Sequence, residues 1–152
     1  MILYIEDLLR EINILNYYKG EAAKRGDMNA DVVQSDANNQ DAMGYFIRKV
    51  VTDILIFLNN GSVAFTCENK DDQLRFTLNP IREDRPHMKD VLKEAIRQYI
   101  VFEVRRLWMM TVRPEWADHS IREELRWDMK TAFSAVAKYE KVRRRATNLA
   151  GI

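Results

Sequence analysis

Apolar residues recur every three or four positions from about Leu3 to Lys24, at Ile5, Leu8, Leu9, Ile12, Leu15 and Tyr18, with Glu6, Arg10, Glu11 and Asn13 between them. That spacing gathers them on one stripe of a first helix, and Gly26 offers a stop because it tolerates the left-handed conformation that ends many helices. Residues 27–40 (DMNADVVQSDANNQ) are rich in Asp and Asn, whose side chains bond nearby backbone and favour turns, so a long polar loop is expected there. From Asp41 the helical spacing returns and is wider, through Met43, Phe46, Ile47, Val50, Val51, Ile54, Leu55 and Leu58, until Asn59-Asn60-Gly61 ends it. This second helix is the expected centre of the core.

The period then changes to two. Val63, Phe65 and Cys67 alternate with Ala64 and Thr66, and Leu74, Phe76 and Leu78 alternate with Arg75 and Thr77, which predicts a β-hairpin over 63–78 turning at Asn69-Lys70-Asp71-Asp72. An isolated hairpin is marginal in water, so its apolar face, with Cys67 on it, is expected to pack on the helices. Asn79-Pro80 closes the second strand. Pro86 suits the first turn of a third helix, which carries Val91, Leu92, Ala95, Ile96, Tyr99, Ile100, Phe102 and Leu107 to about Thr111, and Arg113-Pro114 breaks it. After a short connector, Ser120-Ile121-Arg122-Glu123 matches the capping box that opens a helix. A fourth helix then runs through Leu125, Met129, Ala132, Phe133, Val136 and Tyr139 toward Arg145, with 146–152 as a frayed tail. The expected architecture is therefore mainly α: one domain of four helices with a β-hairpin between the second and third.

Composition narrows the function classes. A chain of 152 residues, 47% hydrophobic and 31% charged, has the makings of one ordinary core. Its 24 basic and 23 acidic residues leave no global field to steer it toward nucleic acid or membrane. The opening MILYIEDLLREINIL is interrupted by acids, unlike an export signal, and the most apolar stretch, Val50 to Leu58, falls well short of the roughly 20 residues that cross a bilayer. One cysteine and two histidines provide neither an internal disulfide nor a zinc-ligand set, and a reducing intracellular setting is the expectation.

Motifs for chemistry fail one by one. Asp27-x-Asn29-x-Asp31 begins like a calcium loop, but Val32 stands where the turn needs glycine and Asn38 where the site needs a bidentate glutamate. His87 and His119 adjoin helix starts without a nucleophile in any catalytic context, so they read as surface or capping residues. The glycines are scattered singly, which excludes a phosphate-cradling loop, and Glu123-Glu124 and Asp71-Asp72 read as solvated surface charge. No catalytic activity, metal or cofactor is expected.

Two features point instead to contacts. Trp108-Met109-Met110 is more apolar than one helix face requires, and Trp108, Trp116 and Trp127 suit core packing or subunit contact better than base stacking. Lys138 to Arg145 (KYEKVRRR) carries five cations against Glu140, a local excess of +4. Cations there either complement the dipole at the end of the fourth helix or meet phosphates or an acidic protein surface.

The run Leu92-Lys93-Glu94-Ala95-Ile96-Arg97-Gln98-Tyr99-Ile100, then Leu107-Trp108, the Pro114 connector and a last amphipathic helix ending in Arg143-Arg144-Arg145, resembles the small head–tail connector (adaptor) proteins of tailed bacteriophages. The likeness covers roughly the last sixty residues, with the preceding helix and hairpin compatible in order; the first helix and its polar loop match no motif of that family. It implies a homo-oligomeric ring beneath the portal, in the virion, with DNA only as cargo through the channel and no membrane. Lys70, Asp71 and Asp72 would then face the lumen or a neighbour, Arg143, Arg144 and Arg145 the portal or another virion protein, and Trp108 a subunit contact. The competing readings are a small intracellular, cytoplasmic protein-binding or regulatory domain, and a nucleic-acid binder using its basic end.

Overall fold

The computed structural model describes residues 1–24, 40–59 and 63–138. In chain order these form β1 (Ile2–Tyr4), α1 (Ile5–Lys24), α2 (Gln40–Leu58), β2 (Ala64–Lys70), β3 (Gln73–Asn79), α3 (Met88–Val112), a 3-10 turn (Pro114–Trp116) and α4 (Arg122–Val136). The mainly α architecture, with the hairpin between the second and third helices, is the one the periodicity predicts. The polar loop expected over 27–40 lies outside the described residues apart from Gln40, which opens α2.

The hairpin turns more tightly than its sequence suggests. Asn69 and Lys70 belong to β2, and only Asp71 and Asp72 turn, with φ of 55° and 57°. Positive φ at both central residues gives the turn the twist that two paired strands require, and Asp tolerates that region better than most residues. Register pairs Phe65 with Leu78 and Cys67 with Phe76, so the inner face is continuous across the strands.

The beginning of the chain departs from the expected helix. Ile2–Tyr4 is a third strand on the other side of β3, with Leu3 opposite Leu74, and the sheet order is β1-β3-β2. Leu3 is buried while Ile2 and Tyr4 are exposed, the alternation of a strand with one wet face. The Met1 ammonium donates to the Phe76 carbonyl at 3.0 Å, and Ile5 N–H donates to the Asp72 carbonyl at 2.9 Å. β3's open edge thus captures these residues before α1 begins.

α3 is the axis. It packs against α1, α2, α4 and β1, and Tyr99 to Val104 are all buried. The sheet's inner face meets the helices through Phe65, whose ring stacks on Phe76 at 5.7 Å and meets Phe133 of α4 edge-on at 5.2 Å. Such aromatic pairs add about 0.5–1.5 kcal/mol beyond area burial.

Helix four differs at both ends. Ser120 caps nothing: its N–H and hydroxyl both donate to Asp118 Oδ1, at 2.9 and 2.7 Å, and Ile121 is the residue before the helix. Asp118, two residues upstream, holds Ser120 in a local turn of its own, and the helix begins one residue later than a capping box would place it. At the far end the helix stops at Val136 without reaching Arg145. Ala137 pairs with Ile81, Arg82 N–H donates to the Val136 carbonyl at 2.8 Å, and Lys138 N–H donates to the Pro80 carbonyl at 3.0 Å. Backbone partners outside the helix therefore end it. Pro86, similarly, lies in the turn before α3, where its carbonyl accepts from Lys89 N–H.

Candidate interaction surfaces

Six successive buried residues in α3 include one carboxylate, Glu103, whose side chain is 3% exposed. Its Oε1 accepts from the Arg106 Nε at 3.0 Å and from Arg106 Nη2, and its Oε2 accepts from the Arg122 Nε at 3.0 Å. Arg106 reaches on to His119 Nδ1 at 3.4 Å and Met110 Sδ at 3.2 Å. One buried charge thus ties α3 to the first turn of α4 and to the connector between them. Tyr99, a turn below, is held above the ordinary phenol range by burial first and by Glu103 second, with Arg122 and Arg126 opposing. With both oxygens occupied by guanidinium donors, Glu103 acts as a clamp on the angle between two helices.

A second polar contact joins α1 to α3. Asn16 is wholly buried; its Oδ1 accepts from Arg105 Nε at 3.2 Å, and Arg105 Nη2 reaches the Leu15 carbonyl at 3.5 Å. Burial pushes Arg105 below its ordinary value, against the pull of Asp118. Asn16 Nδ2 has no hydrogen-bond partner among the described residues. The amide is oriented by Arg105, since flipping it would point a donor at a donor. Nearer the other end of this interface, Arg97 bonds both Glu94 on its own helix and Glu11 on α1, and its hydrogen bonds hold Glu94 below the usual carboxylate range.

The residues singled out from sequence fall in three different places. Trp108 is 5% exposed and Met109 is buried, so the chain's own core covers them and only Met110 of that run is exposed. The surplus of apolar side chains around Trp108 is absorbed by α3's position among the other helices. Lys70, Asp71 and Asp72 form the exposed tip of the hairpin, whereas Trp108 is a core residue. Arg143, Arg144 and Arg145 lie outside the described residues. α4 ends at Val136 with no basic residue in its last turn.

The exposed apolar side chains are elsewhere. α1 presents Ile14, Tyr17 and Tyr18, the two rings edge to face at 5.9 Å. Where α2 meets α4, the guanidinium of Arg126 lies 4.3 Å and the ammonium of Lys130 5.8 Å from the centre of the Phe57 ring. The sequence neighbours of that contact, Ile56 and Trp127, are 72% and 68% exposed. Trp127 has Glu124 and Asp128 near it on the helix, both exposed. Sequence reasoning groups the three tryptophans together, and the signal that separates Trp127 from Trp108 is local: Arg126 and Asp128 on either side against Leu107 and Met109.

Among the described residues, no group of three or more His, Cys, Asp or Glu is placed to hold a metal ion, and no helix is long and apolar enough to cross a membrane. Compared with known protein families, curated proteins and solved structures, the chain matches none of them.

Proposed function

We propose that this chain is a structural assembly subunit of the head–tail connector kind, one copy of a homo-oligomeric ring that sits beneath a portal in a virion, with DNA passing through the channel as cargo. The observation that carries the reading is where the surplus apolar surface lies. Ile14, Tyr17 and Tyr18 are on α1, whereas Ile56 and Trp127 are on α2 and α4, and these helices pack against α3 from their own positions. A two-fold dimer uses one patch twice, but a head-to-tail ring needs two different surfaces on each copy.

The basic segment ending in Arg143, Arg144 and Arg145 supplies the contact to an acidic surface on a neighbouring virion protein or on the portal. A regulatory domain binding one partner through one helix face is the competing reading; it leaves exposed apolar side chains on the other helices without a role. Sedimentation velocity on Tyr17→Ser/Tyr18→Ser and on Trp127→Ser separates them. In the ring reading each change weakens assembly, alone or on the portal, and leaves the melting temperature near wild type. Assembly unchanged in both variants would refute it.

A further inference from the structure

The outward face of α4 has an unusual balance. Arg126 and Lys130, cations near Trp127 in the chain, are drawn onto the Phe57 ring, which leaves Glu124 and Asp128 beside the exposed indole. Glu123 pairs with Arg122 at 3.6 Å, but neither Glu124 nor Asp128 is in an ion pair among the described residues. In a helix, residues 124, 127, 128 and 131 fall on one side. The face is therefore an aromatic platform rimmed by two carboxylates, which suits a cationic segment: guanidinium groups lie on an indole face and pair with carboxylates at their edges.

The same chain carries a segment of that chemistry. Residues 138–145 hold Lys138, Lys141, Arg143, Arg144 and Arg145 against Glu140. Its departure point is fixed by the structure: Val136 and Lys138 are hydrogen-bonded to Arg82 and Pro80 on either side of the Ala137–Ile81 pairing, at the opposite end of α4 from the connector. Nine residues of helix separate Trp127 from Val136, about 13 Å at 1.5 Å per residue. Lys138, the last described residue of the chain, lies along residues 80–82.

Resting on the assembly reading above, we infer that the Glu124–Trp127–Asp128 face of one copy receives the basic segment 138–145 of a second copy. This contact is head-to-tail: each copy offers a carboxylate-rimmed tryptophan at one place and cations at another. Such an interface propagates around a ring, and it assigns the acidic surface that Arg143, Arg144 and Arg145 meet to a neighbouring subunit.

The test uses two full-length charge-reversed proteins, Glu124→Lys/Asp128→Lys and Arg143→Glu/Arg144→Glu/Arg145→Glu, studied by sedimentation velocity separately, mixed, and combined in one chain. All of these changes are on exposed α4 positions or beyond α4, and circular dichroism checks that each protein stays folded. Each protein alone is expected to associate at least about tenfold more weakly than wild type, because each places like charges across the interface. The equimolar mixture, which pairs the intact face of one protein with the intact segment of the other and the two reversed sites with each other, is expected to recover association as alternating subunits. The combined chain, with both signs reversed, is expected to recover association, and wild-type association is expected to weaken as salt rises from about 0.1 to about 1 M, which shortens the screening length from about 10 to about 3 Å. A mixture that stays monomeric while wild type assembles overturns the contact and leaves the ring reading standing. Loss of portal binding by the triple-Glu protein, with self-association intact, would assign the segment to the portal and also overturn the contact. Wild type that is monomeric both alone and with the portal overturns both.

Discussion

Replacing Glu103 by Gln removes one charge and almost no volume from the most buried ionic contact among the described residues. The carboxylate is 3% exposed, and its partners Arg106 and Arg122 are 15% and 30% exposed. Removing one partner of a fully buried pair costs about 3–5 kcal/mol, because the other charge is left without compensation. Here both guanidinium groups retain some contact with water, and the amide oxygen still accepts one hydrogen bond, so the expected loss is about 2–3 kcal/mol. For a chain of this size that corresponds to a fall in Tm of about 4–12 °C. Thermal and urea unfolding followed by circular dichroism measure it. A double-mutant cycle with Arg122→Gln should give a coupling above about 0.5 kcal/mol, the threshold that separates interacting from independent sites. Removing an exposed pair provides the scale: Arg10→Ala, which breaks contacts to Glu6 and Asp7, should cost less than about 1 kcal/mol. A Glu103→Gln protein within about 0.5 kcal/mol of wild type would refute the view that this carboxylate clamps α3 to α4.

Three other perturbations probe different parts of the molecule. Phe65→Asp and Ile54→Asp each place a charge among buried side chains and should destabilise by about 3–5 kcal/mol, so near-wild-type melting of either would contradict the core described above. Asp72→Gly relieves a residue held at φ 57° while keeping the carbonyl that accepts from Ile5 N–H, and should raise stability by about 0.5–1 kcal/mol in urea titrations; a loss would show that the Asp side chain contributes to the turn. Burial pushes the Cys67 thiol up to about 11, so native protein at pH 8 should alkylate about a hundredfold more slowly than urea-unfolded protein. Because this thiol is harder to ionise when folded, its contribution to stability is intact below its ordinary value of 9.0 and falls as pH rises through about 11; rapid alkylation of the native protein would contradict its half-buried placement.

Features that depend on local period are legible in the sequence. α2 and the hairpin arise directly from three- and two-residue spacing, and α3 from its long apolar run. Features that depend on partners distant in the chain are not. Ile2–Tyr4 continues smoothly into a helical pattern, and only β3's open edge makes it a strand. Val136 ends α4 because residues 80–82 pair with the backbone of residues 136–138, and nothing near Val136 in the sequence announces it. Ser120 and Glu123 have the spacing of a capping box, but Asp118 takes the serine. Nothing near Glu103 in the sequence announces that Arg122, nineteen residues away, is brought to it. The exposed tryptophan is hidden for a related reason: apolar context marks Trp108 as a large hydrophobe but cannot show that α3 is covered on nearly every side, whereas Trp127, among charges, is the one left outside.

The central claim is that this chain works by assembling with copies of itself, and native mass measured across protein concentration tests it most directly. Subunits with individually weak head-to-tail interfaces, dissociating in the micromolar to millimolar range, should shift from monomer toward a closed oligomer as concentration rises to about 200 µM, and at lower concentration once a portal holds them in register. Trp127→Ser should move that transition to higher concentration. A single monomeric species at every concentration, with and without the portal, would contradict the account.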